Sequence, residues 1–191
     1  MKRLLLPFVL AVIVATGCGG SSTAPTPIDS LQGPSWQGTV KYSRHSVSAD
    51  LDETVTLAGA VTWIKETNPD PAPLAGAVSY IIQSGSLTAT HTGVVGFCTI
   101  QGGTTHLLKP GDGFLVLNPN GTYSGYIHSN ATFPSTLSCP GPSTLNLGDD
   151  VAPIDLEMNG QVASLRMQGA MEPVTVALST FTGSWDFSPT R

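Results

Sequence analysis

Charge is scarce in this 191-residue chain: Asp, Glu, Lys and Arg together make up 11%, under half of the roughly 25% of an average soluble protein. Such a deficit suits a membrane-embedded protein, yet beyond the N-terminus no apolar run is long enough to cross a bilayer as a helix. Basic residues are the scarcest. The eight Lys and Arg are scattered, and nucleic-acid binding needs clustered positive charge to displace counterions from phosphates, so that class of partner is excluded. There are three cysteines and no close pair of them, which excludes a thioredoxin-type redox motif and a zinc knuckle. No segment repeats apolar residues with a 3.6-residue period, and 21 Gly with 15 Pro leave little room for long helices. Also missing are Gly-x-Ser-x-Gly, Ser-x-x-Lys and His-Glu-x-x-His, the short signatures of acyl-transfer and zinc chemistry. No cofactor motif is present.

What the chain does have is Ser and Thr, roughly a fifth of all residues, and a hydrophobic content of 40%. The hydroxyls supply polar surface without charge, and the apolar fraction suffices for a core, so global disorder is rejected. Thr together with Val is the composition of exposed strands.

The first residues read as an address. Met1-Lys2-Arg3 is a short basic start and Leu4 to Ala15 is apolar for twelve residues, the length of a signal-peptide core and too short for a membrane span. Ala15-Thr16-Gly17-Cys18 follows, then a run of Gly, Ser, Thr and Pro to about residue 35 that cannot order itself. Small residues before a Cys and a flexible tether after it resemble the bacterial lipoprotein signal. The resemblance implies removal of residues 1–17, lipidation (including palmitate) of Cys18 as the new N-terminus, and residence in the membrane through that lipid. Gly19 rather than Asp behind the Cys implies the outer membrane, facing the periplasm or the cell surface. Residues 1–17 hold Lys2 and Arg3 and no acid, so their loss takes the formal charge from −5 to −7. The expected organisation is signal peptide 1–17, lipidated Cys and tether 18–35, and one antiparallel β domain 36–191.

With Cys18 carrying lipid, Cys98 and Cys139 remain as a pair in an oxidising compartment, and a disulfide is the simplest expectation. Strand patterns fill the domain. Trp36, Val40 and Tyr42 alternate, as do Val55, Leu57, Val61 and Trp63. Short strands are read at 78–82, 87–91, 94–100 and 106–108, with the last two at 174–178 and 181–187. Pro119-Asn120-Gly121 predicts a three-residue bulged hairpin between 114–118 and 122–127. Asn159-Gly160 predicts a two-residue hairpin between 154–158 and 161–167, with Ile154, Leu156, Met158, Ala163, Leu165 and Met167 on one buried face and Asp155 and Glu157 outside. Trp-x-Gly at the start of the domain and Gly-x-Trp at its end suggest that first and last strands meet, which removes exposed edges. The expected fold is all-β: a closed or nearly closed antiparallel barrel, with a two-sheet sandwich as the alternative.

Four candidate chemistries arise. His45, His91, His106 and His128 lack the spacing of a metal motif and read as surface residues. Asp50, Asp52, Asp149 and Asp150 lie in the densest acidic runs (Glu53 and Asp155 beside them) and are the calcium candidates, without EF-hand spacing. Trp36, Trp63, Trp185, Tyr80, Tyr123 and Tyr126 are able to stack on sugars, line a pocket or simply fill a core. A Ser–His or paired-carboxylate site is a matter of geometry that spacing does not define. The expected function is a lipid-anchored envelope protein with a non-catalytic binding or structural role toward a protein or glycan. The alternatives are a barrel carrying a small apolar ligand and, third, a hydrolase.

Overall fold

Alternation of apolar and hydroxyl residues produces nine strands in the computed structural model, which describes residues 31–33, 35–69, 73–142 and 144–190. They are β1 Ser35–Val47, β2 Leu51–Lys65, β3 Val78–Val95, β4 Cys98–Leu108, β5 Gly113–Leu117, β6 Thr122–Ser138, β7 Thr144–Gln161, β8 Met167–Val176 and β9 Ser179–Pro189. All pairings are antiparallel within one sheet, ordered β8-β9-β1-β2-β3, then β4 and β5, then β6 and β7. β4 and β5 share one slot in tandem. β3 pairs with β5 through Val78–Ile81 and with β4 through Gly85–Val95, and β6 closes on both from the other side. The ladders of β3, β4, β6 and β5 therefore form a closed ring. The whole sheet curls into a nearly closed barrel whose two edges are β7 and β8.

First and last strands do meet: Val40 pairs with Trp185 and Gly38 with Phe187. Side chains also close the barrel across its interior. Trp185 Nε1 donates to the Tyr123 hydroxyl at 2.8 Å, and that hydroxyl donates to the Gln168 carbonyl at 3.0 Å. The two bonds tie β6 to β9 and β8. Trp63 and Phe187 meet edge to face with centroids 5.9 Å apart. Pro153 and Pro173 both fall on the edge strands, where a missing N–H leaves no ladder bond unmade.

Three expectations are corrected. Residues 78–95 form one strand, because Gly85 and Gly93 lie where neighbouring chain approaches too closely for a Cβ, and neither breaks the strand; the irregularity is an extra residue, Gln83, opposite Thr62/Trp63. The Asn159-Gly160 hairpin does not form. Both residues continue β7 and pair with Ser124 and Tyr123 of β6, because the seventeen-residue β6 offers a far longer ladder than a local hairpin. The tight turn comes later, at Ser164 and Leu165 (φ 51° and 59°), closed by the Ala163–Arg166 bridge. Ile154, Leu156, Met158 and Met167 are buried as expected, whereas Ala163 and Leu165 are exposed. The Pro119-Asn120-Gly121 hairpin forms as read, with Gly121 at φ +81°. Core packing starts before Trp36, since Leu31 is buried in it.

Candidate functional site

The lumen is occupied by side chains. Trp36, Trp63, Tyr80, Phe133, Phe187 and Leu156 are all fully buried, and along β1, β2 and β3 every second residue points into this core. Tyr80 donates to the Gly33 carbonyl at 3.1 Å. Burial pushes the phenols of Tyr42, Tyr80 and Tyr123 above their ordinary value. Of the six aromatics singled out from the sequence, five are thus core, and Tyr126, 40% exposed, is the exception.

Tyr126 stands on the outer face of β5, β6 and β7, where register fixes its neighbours. Phe114 lies opposite it on β5 and Glu157 on β7. Two residues along, Val116, Ser124 and Asn159 form the next row, and His128 faces Asp155 on the other side. The Phe114 and Tyr126 rings are 6.4 Å apart and inclined by 37°; Tyr126 and His128 are 4.6 Å apart. His128 Nε2 contacts Asp155 Oδ1 at 2.8 Å. The shallow hollow over this lattice has a volume of about 420 Å³. It presents an apolar aromatic floor on one side and carboxylate, amide and hydroxyl groups on the other.

A second hollow opens in the seam. β7 and β8 leave the Ser164–Leu165 turn side by side, and among the described residues no ladder joins them. β8 is further displaced by an irregularity between Met171 and Val174. The resulting cleft, about 460 Å³, is walled by Tyr42, Met171, Val174, Val176, Phe181 and Pro153, with Asp155 and Glu157 along β7. Glu157 borders both hollows.

Inside the barrel end that holds the β1–β2 and β3–β4 turns, the inward positions turn polar. Arg44 contacts Glu53 at 3.3 Å, Glu53 contacts His91 Nε2 at 3.0 Å, and His91 Nδ1 contacts Ser135 Oγ at 3.0 Å and lies 3.8 Å from Asp150. His91 is therefore buried, a correction to its reading as a surface residue: it continues the inward series Leu87, Ala89. Serine, histidine and carboxylate stand in line, but Ser135 is 1% exposed and lies against Gly102, where a Cβ would come within 2.6 Å of its Oγ. Attack on an acyl carbon needs that oxygen open to substrate. In this geometry the chain of bonds links β1, β2, β3 and β6.

Cys18 and the signal segment lie outside the described residues. Cys98 and Cys139 are joined by a disulfide, with Cα atoms 4.1 Å apart. Asp52 is engaged by His45 at 2.9 Å and Asp150 lies beside His91. Among the described residues, Asp50, Asp52, Asp149 and Asp150 are not gathered into a metal-binding group, and no other three such side chains are. His106 contacts Ser129 at 2.9 Å. The outer lattice depends on β7 continuing through residues 159–160, where Asn-Gly predicts a turn. The Pro119–Gly121 hairpin by itself pairs Phe114 with Tyr126 and is the feature of the sequence that points to this lattice. No family model, curated protein or solved structure matches the chain.

Proposed function

We propose that this chain is a lipid-anchored protein of the bacterial cell envelope, exported by its signal peptide and held in the outer membrane by a palmitate-bearing Cys18, with a non-catalytic binding role. Its contact surface is the outer face of β5–β6–β7 and its partner a glycan. The observation that carries the reading is the contrast among aromatics: the others singled out from the sequence are packed in the core, while Tyr126 is exposed beside Phe114 and His128. A pyranose ring offers an apolar C–H face to an aromatic floor and hydroxyls to flanking acceptors, here Glu157, Asn159 and Ser124. Two measurements test it. Cys18→Ser is expected to abolish fatty-acid labelling and membrane fractionation; a labelled, membrane-bound Ser variant overturns the anchor. On an array of pyranose oligosaccharides the mature protein is expected to bind, and Tyr126→Ala to weaken binding about tenfold or more, roughly 1.4 kcal/mol. Absence of any bound glycan, or binding indifferent to Tyr126, overturns the glycan.

A carrier of a small apolar ligand is the second reading. The seam cleft supports it, since about 460 Å³ lies within the roughly 300–1,000 Å³ of small-molecule sites. It puts the ligand in the wall of the barrel and not in its lumen.

A further inference from the structure

The two hollows are neighbours. The aromatic lattice covers β5, β6 and β7; the seam cleft begins at the far edge of β7; Glu157 borders both. Adjacent strands are about 4.8 Å apart, so the Tyr126 ring on β6 and the open edge of β7 are separated by about one strand spacing. A polar, aromatic surface thus passes directly into an apolar groove. Among the described residues neither hollow is lined by Lys or Arg, and their charged lining is dominated by Asp155 and Glu157. That charge disfavours an anionic head such as a phosphate or carboxylate and favours one that donates hydrogen bonds. The groove is bounded by side chains that adapt: Met171 is unbranched and pliable, and Val174 and Val176 are 48% and 61% exposed, leaving an apolar edge strand uncovered, which proteins ordinarily avoid.

We infer that the two hollows form one site for a saccharide-headed amphiphile, with the sugar stacked on Phe114 and Tyr126 and an alkyl chain lying in the seam between β7 and β8. This rests on the glycan reading of the outer face and adds the tail. Head and tail are bound at linked surfaces, so engaging the first raises the effective concentration of the second, and the amphiphile binds more tightly than either part alone.

Isothermal titration of the mature protein with three probes tests it: maltose as head, dodecyldimethylamine oxide as a tail lacking sugar, and dodecyl maltoside, each detergent below its micelle concentration. Dodecyl maltoside is expected to bind at least about tenfold more tightly than both of the others. Tyr126→Ala should bring it down to the amine oxide's affinity. Val174→Asp, at a half-exposed position that leaves the core alone, should bring it down to maltose's, and Met171→Trp should do the same by filling the groove. If glycans bind through Tyr126 but the dodecyl chain adds nothing, or adds as much in Val174→Asp, the amphiphile is wrong and the glycan reading stands. If detergent binds independently of Tyr126, or no probe binds, the joined site is wrong, and the oligosaccharide array decides the glycan reading separately. A dimer in solution that Val174→Asp dissociates assigns the seam to a second copy of the chain and also overturns the inference.

Discussion

At Gly38 on β1 and Gly59 on β2 the backbone of the adjacent strand approaches too closely for a Cβ. A Cβ at Gly38 would fall onto the Asp186 carbonyl oxygen, and one at Gly59 onto that of Ser86; backbone cannot swing aside as a side-chain tip does. Either glycine changed to Ala is expected to cost about 1–3 kcal/mol in denaturant unfolding, the usual range for overpacking. A loss near zero at both shows that the strands have room there. The phenols predict a second effect. Tyr42, Tyr80 and Tyr123 have folded pKa values raised above the ordinary 10.0 by burial. The native state therefore favours their protonated form: that stability is complete below about pH 10 and is lost as pH rises through the folded values. The urea midpoint should stay level from about pH 8 to 9.5 and fall above about 10, less steeply in Tyr123→Phe. At this scale the sequence was largely readable, since Trp36, Val40, Val55, Leu57 and Trp63 point inward as their alternation predicts. His91 was not, because a polar residue on an inward position needs its partners Glu53 and Ser135, 38 and 44 residues away, to be known.

Strand β7 separates what alternation specifies from what it leaves open. Period-two patterning puts Ile154, Leu156 and Met158 inside whichever strand lies beside them, so the buried face was legible. The partner was not: Asn-Gly favours a local hairpin, and only the length of β6 outweighs it. Leu156→Ala is expected to cost about 2–5 kcal/mol and Leu165→Ala, at a half-exposed turn, within roughly 0.5 kcal/mol. Equal losses at both would restore the hairpin. The turn itself provides an independent check. Ser164 and Leu165 both have positive φ, the pair of conformations that Asn-Gly adopts most readily. Ser164→Asn with Leu165→Gly should stabilise the protein by about 1 kcal/mol, the left-handed penalty of about 1–2 kcal/mol relieved less the entropy cost of a glycine, read as a raised denaturant midpoint, and a destabilised double variant would contradict the turn. The outer lattice of Phe114, Tyr126 and Glu157 belongs to this scale too: it exists only once β7 is laid against β6.

For the whole molecule, the meeting of Trp-x-Gly with Gly-x-Trp points to closure, while the seam lies where β8 is displaced at Glu172 and Pro173, and no local pattern names β7 as the strand that faces them. The shortest ladders in the ring, four pairs each, are β3 with β5 and β4 with β6, the latter joining Thr99–Gly102 to Ser135–Ser138. The disulfide caps one end of the β4–β6 ladder, joining Cys98 to Cys139 one residue beyond the Thr99–Ser138 pair, while β4 and β6 part at the other end, beyond Gly102 and Ser135. It closes a loop of separation 41, worth roughly 4 kcal/mol if the gain is entropy removed from the unfolded chain. That entropic gain is global and belongs to every cooperative contact alike. The position of the bond adds a local effect: without it, four residue pairs must hold the β4 end of the ring against fraying. Cys98→Ser with Cys139→Ser is therefore expected to lower global stability by about 4 kcal/mol and, in native-state hydrogen exchange, to expose the amides of residues 99–102 and 135–138 more than those of the β1–β9 ladder. Uniform acceleration across both ladders would mean that the bond acts on the unfolded chain alone and that the short ladder closes the barrel unaided.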